Sequence, residues 1–166
     1  AEDDKTAIRA LGLNVIFGED CLQELAGFEI AFRSPGVKLL DPKLQQWVKK
    51  GLILNSQTKW FFEHCPCKII GVTGTKGEGT TASLIYEILS AQHRPTNGHP
   101  SESQVFLTGN IGKTQPLDFL DNLPKSDLVV YELSSFQLQD LEKSPHVAVV
   151  LMVTSEHLDY HDSIEE

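Results

Sequence analysis

The sequence has little positive charge and no long apolar run, and each shortage excludes a class of protein. It holds 14 lysine and arginine residues against 23 aspartate and glutamate residues, which gives a formal net charge of −9. This balance argues against nucleic acid or an anionic membrane as the main partner. No apolar stretch reaches transmembrane length, and no basic segment followed by an apolar one opens the chain. We therefore expect a cytoplasmic protein that binds neither nucleic acid nor a membrane.

Cysteine is also scarce, since the chain contains only Cys21, Cys65 and Cys67. An odd and low count fits a reducing compartment, where disulfides are rare. The segment His64-Cys-Pro-Cys67 places three possible metal ligands together, but a structural zinc site needs a fourth ligand and usually two separated pairs. We therefore favour two thiols at the beginning of a buried strand over a metal site.

The pattern of apolar residues predicts an α/β fold with a parallel sheet. Short runs rich in β-branched residues alternate with helical segments, as in chains that form βαβ units. A length of 166 residues is enough for one or two domains. We predict a boundary near residues 63–66, which divides the chain into 1–65 and 66–166. The predicted strands are 14–17, 28–32, 52–54, 67–73, 105–107, 128–133 and 147–153, and the predicted helices are 19–25, 42–50, a segment after Ser56, 80–89 and a segment from Ser134.

A glycine-rich loop, Gly74-Thr-Lys-Gly-Glu-Gly-Thr-Thr81, joins the strand 67–73 to the helix that follows. Glycines let backbone N–H groups approach a phosphate, and the N-terminus of a helix adds positive potential. Such loops normally carry a lysine directly after the last glycine of the motif, which is matched here by Gly77, and that lysine reaches the terminal phosphates. Here that position is Glu78. The loop therefore predicts both a nucleotide site and an impairment of it.

Polar residues follow the other predicted strands as well. Glu132 ends an apolar strand, where a carboxylate is costly unless it is paired or bound to a metal, and oxygen ligands suit Mg²⁺. Asn110 lies in Gly109-Asn-Ile-Gly112, and Glu156, His157 and Asp159 follow the last strand. Since ligands of open α/β sheets bind at the carboxyl ends of the strands, we expect these residues to lie beside the loop.

Simpler interpretations of these residues stay open. Ser134 or Ser135 can serve only as the N-cap of a helix, and Glu132 can be paired in a salt bridge. His157 and His161 are four residues apart and can mark an exposed helix face, while the glycines at 109 and 112 can simply form a turn. The recurrence of polar groups at successive strand ends favours a functional site over these alternatives.

The motifs resemble the Mur ligase family. The loop 74–81 is similar to that family's ATP-binding loop, Gly-Thr-x-Gly-Lys-x-Thr, and 156–159 is similar to its Asp-His-x-Asp segment. Glu132-Leu-Ser-Ser-Phe-Gln-Leu138 resembles the members that add D-glutamate to UDP-N-acetylmuramoyl-L-alanine, and it is the most specific motif in the chain. The resemblance implies a partial Rossmann-like N-terminal domain that binds the UDP substrate, followed by the first half of a P-loop parallel-sheet ATPase domain.

The resemblance also implies roles for individual residues. Glu132 and His157 would be catalytic and, together with Thr80, would hold Mg²⁺. ATP would phosphorylate the substrate carboxylate, and the amine of D-glutamate would displace the phosphate to form an amide. ATP would bind at Gly74, Thr75, Lys76, Gly77, Glu78, Gly79, Thr80 and Thr81, and the UDP substrate would contact Ser34, Pro35, Gly36, Asn110, Ser134 and Gln137.

Several positions depart from the family pattern. Glu78 replaces the loop lysine and Gly79 the hydroxyl residue after it, while Met152 matches an asparagine and Glu156 an aspartate. The beginning of the N-terminal domain, the lysine that the family carbamylates and the C-terminal domain have no counterpart in the 166 residues. We therefore expect that this chain alone does not catalyse ligation.

Two alternative functions remain. A non-catalytic relative would bind a UDP-sugar but not ATP, and Glu78 and Gly79 favour it. Another member of the family, such as a folylpolyglutamate synthase, is disfavoured by the heptapeptide 132–138.

Overall fold

The computed structural model describes residues 12, 15, 16, 18, 21–93, 103–111, 114–157, 160, 161 and 163. The chain divides into two compact units, one comprising Ala1–Ala31 with Leu39–Leu54 and the other Phe32–Lys38 with Asn55–Glu166. The predicted domain boundary between residues 65 and 66 stays a prediction.

The first unit contains a short 3₁₀ helix, Cys21–Glu24, and the helix α1, Pro42–Lys49. Asp41 caps α1, since its Oδ1 accepts a hydrogen bond from Lys43 N at 2.8 Å, and proline occupies the first helical position as expected. Trp47 Nε1 donates to Leu22 O at 2.7 Å, which holds the two helices together.

Four predictions in this part of the chain are corrected or fall partly outside the described residues. The predicted helix 19–25 is only the 3₁₀ turn Cys21–Glu24, and residues 19 and 20 lie outside the described part. Of the predicted strand 14–17, only 15 and 16 are described, and neither belongs to a strand. The predicted strands 28–32 and 52–54 are shifted to β1, Ile30–Arg33, and β2, Ile53–Ser56, which pair as a two-stranded sheet.

The second unit is built on a four-stranded sheet whose three strand pairs are all parallel, so the predicted fold class is confirmed. The strands are β3 (Lys68–Thr73), β4 (Val105–Gly109), β5 (Leu128–Glu132) and β6 (Val147–Val150), in the spatial order β4-β5-β3-β6. Glu132 is level with Val72 of β3 and with Gly109 of β4. The carboxyl ends of three strands therefore meet at one edge.

Helices cover both faces of this sheet. Successive residues of β5 point to opposite faces, so each face contributes side chains that pack against a helix. Tyr131 packs among Phe61 and Phe62 of α2, Gln57–His64, and all three side chains are fully buried. Val130 packs with Ala82 of α3, Glu78–Gln92. Each fully buried apolar side chain contributes roughly 1.5–3 kcal/mol to stability. The described helices of this unit are completed by α4, Pro116–Phe119, the 3₁₀ turn Leu120–Asn122 and α5, Ser135–Leu138.

The structure corrects the beginning of α3 and the end of β6. The helix α3 begins at Glu78 rather than at residue 80, because Gly77 adopts a φ of +93° and serves as its N-cap. A left-handed backbone of this kind favours glycine. β6 ends at Val150 rather than at 153, because the main chain of Met152 and Thr154 is held instead by Thr75 of the glycine loop.

Candidate functional site

The glycine loop is fixed to the segment that follows β6. Thr75 N donates to Met152 O at 3.0 Å, and Thr154 N donates to Thr75 Oγ1 at 2.9 Å. The loop then enters α3, whose first N–H groups lie at the positive end of the helix dipole. This arrangement of strand, glycine loop and helix N-terminus is suited to binding an anion such as phosphate.

Asn110 and Glu132 lie together at the end of the sheet. Asn110 N donates to Glu132 O at 3.0 Å, which carries the pairing of β4 and β5 beyond the strands. The Glu132 side chain is only 3% exposed. Burial raises the pKa of its carboxyl, the nearby carboxylate of Glu78 raises it further, and a hydrogen bond from the Asn110 side chain lowers it. Glu132 is therefore a buried acid whose negative charge is only partly compensated.

Glu78 is the second acid of this cluster. Its Oε2 is buried and has no hydrogen-bond partner among the described residues. Its place in the first turn of the 15-residue helix α3 is favourable for a negative charge, because of the helix dipole. The helix dipole therefore stabilises a carboxylate at this position. The Oε2 atom without a partner and the nearby carboxylate of Glu132 would both be stabilised further by a bound cation or proton.

Gly79 lies beside the Asn110 segment. A Cβ added at Gly79 would lie 3.1 Å from Ile111 Cδ1, which is closer than most side-chain contacts. The absence of a side chain at position 79 therefore allows Ile111 to pack closely against the beginning of α3. A hydroxyl residue there would require Ile111 to shift.

One cavity of about 560 Å³ brings most of the predicted strand-end residues together. It confirms that the glycine loop, Glu132 and His157 lie at the same edge of the sheet. Its lining combines carboxylates, hydroxyls and imidazoles with a few apolar groups. The predicted site residues among its lining are Gly74, Thr75, Glu78, Asn110, Glu132, Ser134 and His157, and the other polar residues of the lining include Ser135, Thr154, Ser155, Glu156 and His161.

The other predicted site residues do not line this cavity. Thr80, Lys76 and Gly77 are exposed. Gln137 is buried and its Oε1 accepts hydrogen bonds from Ser134 N at 2.9 Å and Ser134 Oγ at 3.1 Å. The serine and the glutamine therefore form a cap at the beginning of α5, and a substrate role for Gln137 stays a prediction. The remaining predicted residues away from the cavity are Gly79, Thr81 and the exposed turn residues Ser34, Pro35 and Gly36.

His157 belongs to a segment that packs on α5. Its φ of +55° is unusual for a residue other than glycine, and such strain persists where the surroundings hold it. The Phe136 ring lies 4.9 Å from the His157 ring, 4.3 Å from the Tyr160 ring and stacks on His161 at 5.4 Å. His161 Nε2 is 2.9 Å from Ser135 Oγ. The aromatic cluster around Phe136 therefore positions His157, and the sequence did not reveal this cluster as a unit. Two other residues of the predicted segments, Gly112 and Asp159, lie outside the described residues.

The cysteine pair behaves as buried thiols, in agreement with the favoured interpretation. Cys65 and Cys67 are buried, with their Sγ atoms 3.3 Å apart. A hydrogen bond from the Cys67 thiol lowers the pKa of Cys65 to about 7, and the same bond raises the pKa of Cys67. His64 Nδ1 is 2.9 Å from Trp60 O and its ring stacks on Trp60. Among the described residues, no group of three or more histidine, cysteine or acidic residues is arranged to hold a metal ion.

We expect Glu132→Gln to stabilise the metal-free protein, and more so at neutral pH than in acid. The raised pKa of Glu132 means that the folded state binds its proton more tightly than the unfolded state. That contribution is complete below the unfolded value and is lost as the pH rises through the folded pKa, whereas glutamine does not titrate. Thermal unfolding in a chelating buffer at about pH 8 and about pH 5 measures the difference. The exposed Glu87→Gln on α3 is the control, and an equal gain at both pH values would contradict the prediction.

The fold and the cavity define a phosphate-loop α/β domain. Residues 72–166, more than half of the chain, match the Mur ligase middle domain. The chain belongs to the Mur ligase family, as its motifs predicted.

The chain is also similar to individual ligases of known sequence or structure. The UDP-N-acetylmuramoylalanine–D-glutamate ligase of Acetivibrio thermocellus is 40% identical over 158 residues, and that of Clostridium kluyveri is 36% identical over 159 residues. These alignments cover 95% and 96% of the chain but only 32% of each relative. The crystal structure of a UDP-N-acetylmuramate:L-alanyl-γ-D-glutamyl-meso-diaminopimelate ligase from Neisseria meningitides is 19% identical, with a TM-score of 0.43 over 96% of this chain and 52% of that one. No described helix is both long and apolar enough to cross a membrane.

Proposed function

We propose that the chain belongs to an ATP-dependent ligase that adds D-glutamate to UDP-N-acetylmuramoyl-L-alanine in peptidoglycan synthesis. One observation carries the proposal: the loop residues Gly74 and Thr75 line the same cavity as Glu132, Asn110 and His157. A phosphate-binding loop beside a buried carboxylate is the arrangement that phosphoryl transfer needs, because positioning and charge neutralisation dominate that chemistry. Relatives with this name cover nearly all of the chain, which supports the same substrate and the same amine donor.

The buried carboxylate of Glu132 offers oxygen ligands to a divalent cation, and hard cations such as Mg²⁺ prefer oxygen. Mg²⁺ commonly keeps several waters and binds through one or two protein groups together with substrate phosphates, so it does not need a larger cluster of protein ligands. We propose that Glu132 and His157 hold Mg²⁺, which when bound would neutralise phosphate charge. Thr80 is less suited to this role because it is exposed and does not line the cavity.

The chain's own residues would bind and orient the substrates. The N–H groups at the beginning of α3 and of the loop would receive phosphate oxygens of ATP, while Asn110 and Ser134 would contact the sugar substrate. The exposed turn 34–36, closed by a hydrogen bond of 3.0 Å from Val37 N to Ser34 O, would receive the uridine nucleotide. We place this chemistry in the cytoplasm, a reducing compartment that suits the free cysteines.

Calorimetry with UDP-N-acetylmuramoyl-L-alanine tests the substrate assignment. We expect binding to the chain, and a loss of about tenfold in affinity for Asn110→Ala, because the amide that hydrogen-bonds to Glu132 and would contact the ligand is then removed. Asn122→Ala, on an exposed turn of the same unit, is the matched control. UDP-N-acetylmuramate without the alanine provides the specificity arm. Equal affinity for the two ligands, or no effect of Asn110→Ala, would contradict the assignment.

A non-catalytic, UDP-sugar-binding role is the second candidate, and Glu78 favours it. A carboxylate stands where a cation would meet the terminal phosphates of ATP, and the oxygen without a partner lies on that side chain. Titration with ATP and Mg²⁺ separates the two candidates, since the ligase requires ATP binding and the non-catalytic relative would bind the UDP-sugar alone.

A further inference from the structure

A buried arginine immediately precedes the turn 34–36. The Arg33 side chain is 2% exposed, although the three turn residues after it are exposed. Its Nη1 donates to Val37 O at 2.7 Å and to Tyr160 Oη at 3.0 Å. Its Nη2 donates to Asp140 Oδ2 at 3.1 Å and to Phe136 O at 3.3 Å. One guanidinium therefore binds four acceptors that are far apart in the sequence.

The four acceptors belong to three segments, two of which, α5 and the segment of His157, contribute to the lining of the cavity. Val37 O is the end of the turn 34–37, Phe136 and Asp140 belong to α5 and the residues after it, and Tyr160 belongs to the segment of His157. Tyr160 Oη also donates to Val37 O at 3.2 Å, and Tyr160 N donates to His157 O at 2.8 Å. The contacts of Arg33 and Tyr160 thus form a closed network between the turn, α5 and the histidine segment.

Stability alone is a poor account of this network. The Arg33–Asp140 ion pair is buried, with side chains 2% and 9% exposed, and burying two charges costs about as much desolvation energy as their attraction returns. A planar guanidinium with four bonds instead fixes distances and angles, because its donors have a rigid geometry. The network is therefore suited to setting the position of one segment relative to another.

We propose that Arg33 is a positioning residue that fixes the turn 34–36 relative to α5 and to the segment of His157. The inference rests on the proposed function: a UDP-sugar would contact the turn with its nucleotide and the Asn110 and Ser134 region with its sugar. Arg33 does not touch the substrate, but it sets the spacing between the parts that do. Both ends of a long ligand can then bind at once without an ordering cost at the time of binding.

The test compares a long ligand with a short one. Calorimetry is performed with UDP-N-acetylmuramoyl-L-alanine, which would reach both ends, and with UMP, which would reach the turn alone. We expect Arg33→Lys to weaken binding of the UDP-sugar about tenfold while UMP changes by less than about twofold, because lysine keeps the charge but loses the fork. Tyr160→Phe, which removes one hydroxyl and two hydrogen bonds, should give the same pattern with a smaller loss and serves if Arg33→Lys does not fold.

Controls separate positioning from folding. Glu142→Gln breaks the exposed ion pair between Lys59 and Glu142, whose glutamate is 79% exposed, and it should change neither affinity. A purely structural role would lower the melting temperature and leave the ratio of the two affinities unchanged, so an unchanged ratio in both variants would overturn the proposal. Absence of UDP-sugar binding by the unmodified chain would instead overturn the proposed function, and the inference with it.

Discussion

Glu78→Lys should tighten the binding of ATP and Mg²⁺ at least tenfold, a gain of about 1.4 kcal/mol or more. The substitution changes the local charge by two units, and one pair of unit charges at about 4 Å is worth about 4 kcal/mol at an effective dielectric of 20 before screening. The orphaned Oε2 would be replaced by an ammonium next to Glu132, so one buried acid would gain a partner. Calorimetry with and without Mg²⁺ measures the gain.

A matched substitution controls for the change in net charge. Glu87→Lys alters the total charge equally and lies on the same helix, but its side chain is exposed and does not line the cavity. It should leave nucleotide affinity nearly unchanged. Equal affinities for the unmodified chain and Glu78→Lys would show that Glu78 does not impair a phosphate site and that the alignment of the loop is wrong.

Gly109→Ala should lower the free energy of unfolding by about 3 kcal/mol or more. Gly109 has a φ of +98°, and an added Cβ would collide with the carbonyl oxygen of Glu132 and lie 2.8 Å from Tyr131 Cδ1 and 2.9 Å from Glu132 N. The neighbouring atoms belong to the central strand β5 and cannot move cheaply. The end of β4 would have to separate from β5, and Asn110 would then lose its contact with Glu132. Urea unfolding followed by circular dichroism measures the loss.

Gly77→Ala separates backbone strain from collision. Its φ of +93° is nearly the same, but the nearest atom to an added Cβ is Leu151 Cδ1, at 3.7 Å. Strain alone should cost about 1–2 kcal/mol there. If the two alanine variants lose the same free energy, the close approach of β4 and β5 is not what requires glycine at position 109.

The local patterns of the sequence were sufficient to predict β3, the glycine loop that follows it and the position of Glu132. The apolar run before Gly74 and the glycines after it specify a strand and a loop by short-range chemistry, and β3 and the loop are found there. The position of Glu132 at the same edge follows from a general rule, because parallel strands present their carboxyl ends together. Neither inference required knowledge of distant contacts.

Contacts between distant segments were not predictable in this way. Arg33 meets Phe136, Asp140 and Tyr160, which are more than one hundred positions away, and no local periodicity marks such partners. The early end of β6 has a similar cause, since Thr75 takes the main-chain groups of Met152 and Thr154. The sequence predicts a beginning of α3 at residue 80, because glycines at 77 and 79 weaken the helical pattern before it. In the structure the helix begins two residues earlier, at Glu78.

The two tryptophans of the chain are divided between the two compact units, with Trp47 in the first and Trp60 in the second. The Trp47 indole donates its N–H to a main-chain oxygen, whereas the Trp60 indole is stacked on the His64 imidazole at 3.9 Å. The two indoles therefore have chemically different surroundings and should differ in emission. Intrinsic fluorescence thus offers a separate optical reporter for each unit, so that an equilibrium or kinetic experiment can distinguish sequential from concerted unfolding without an added label.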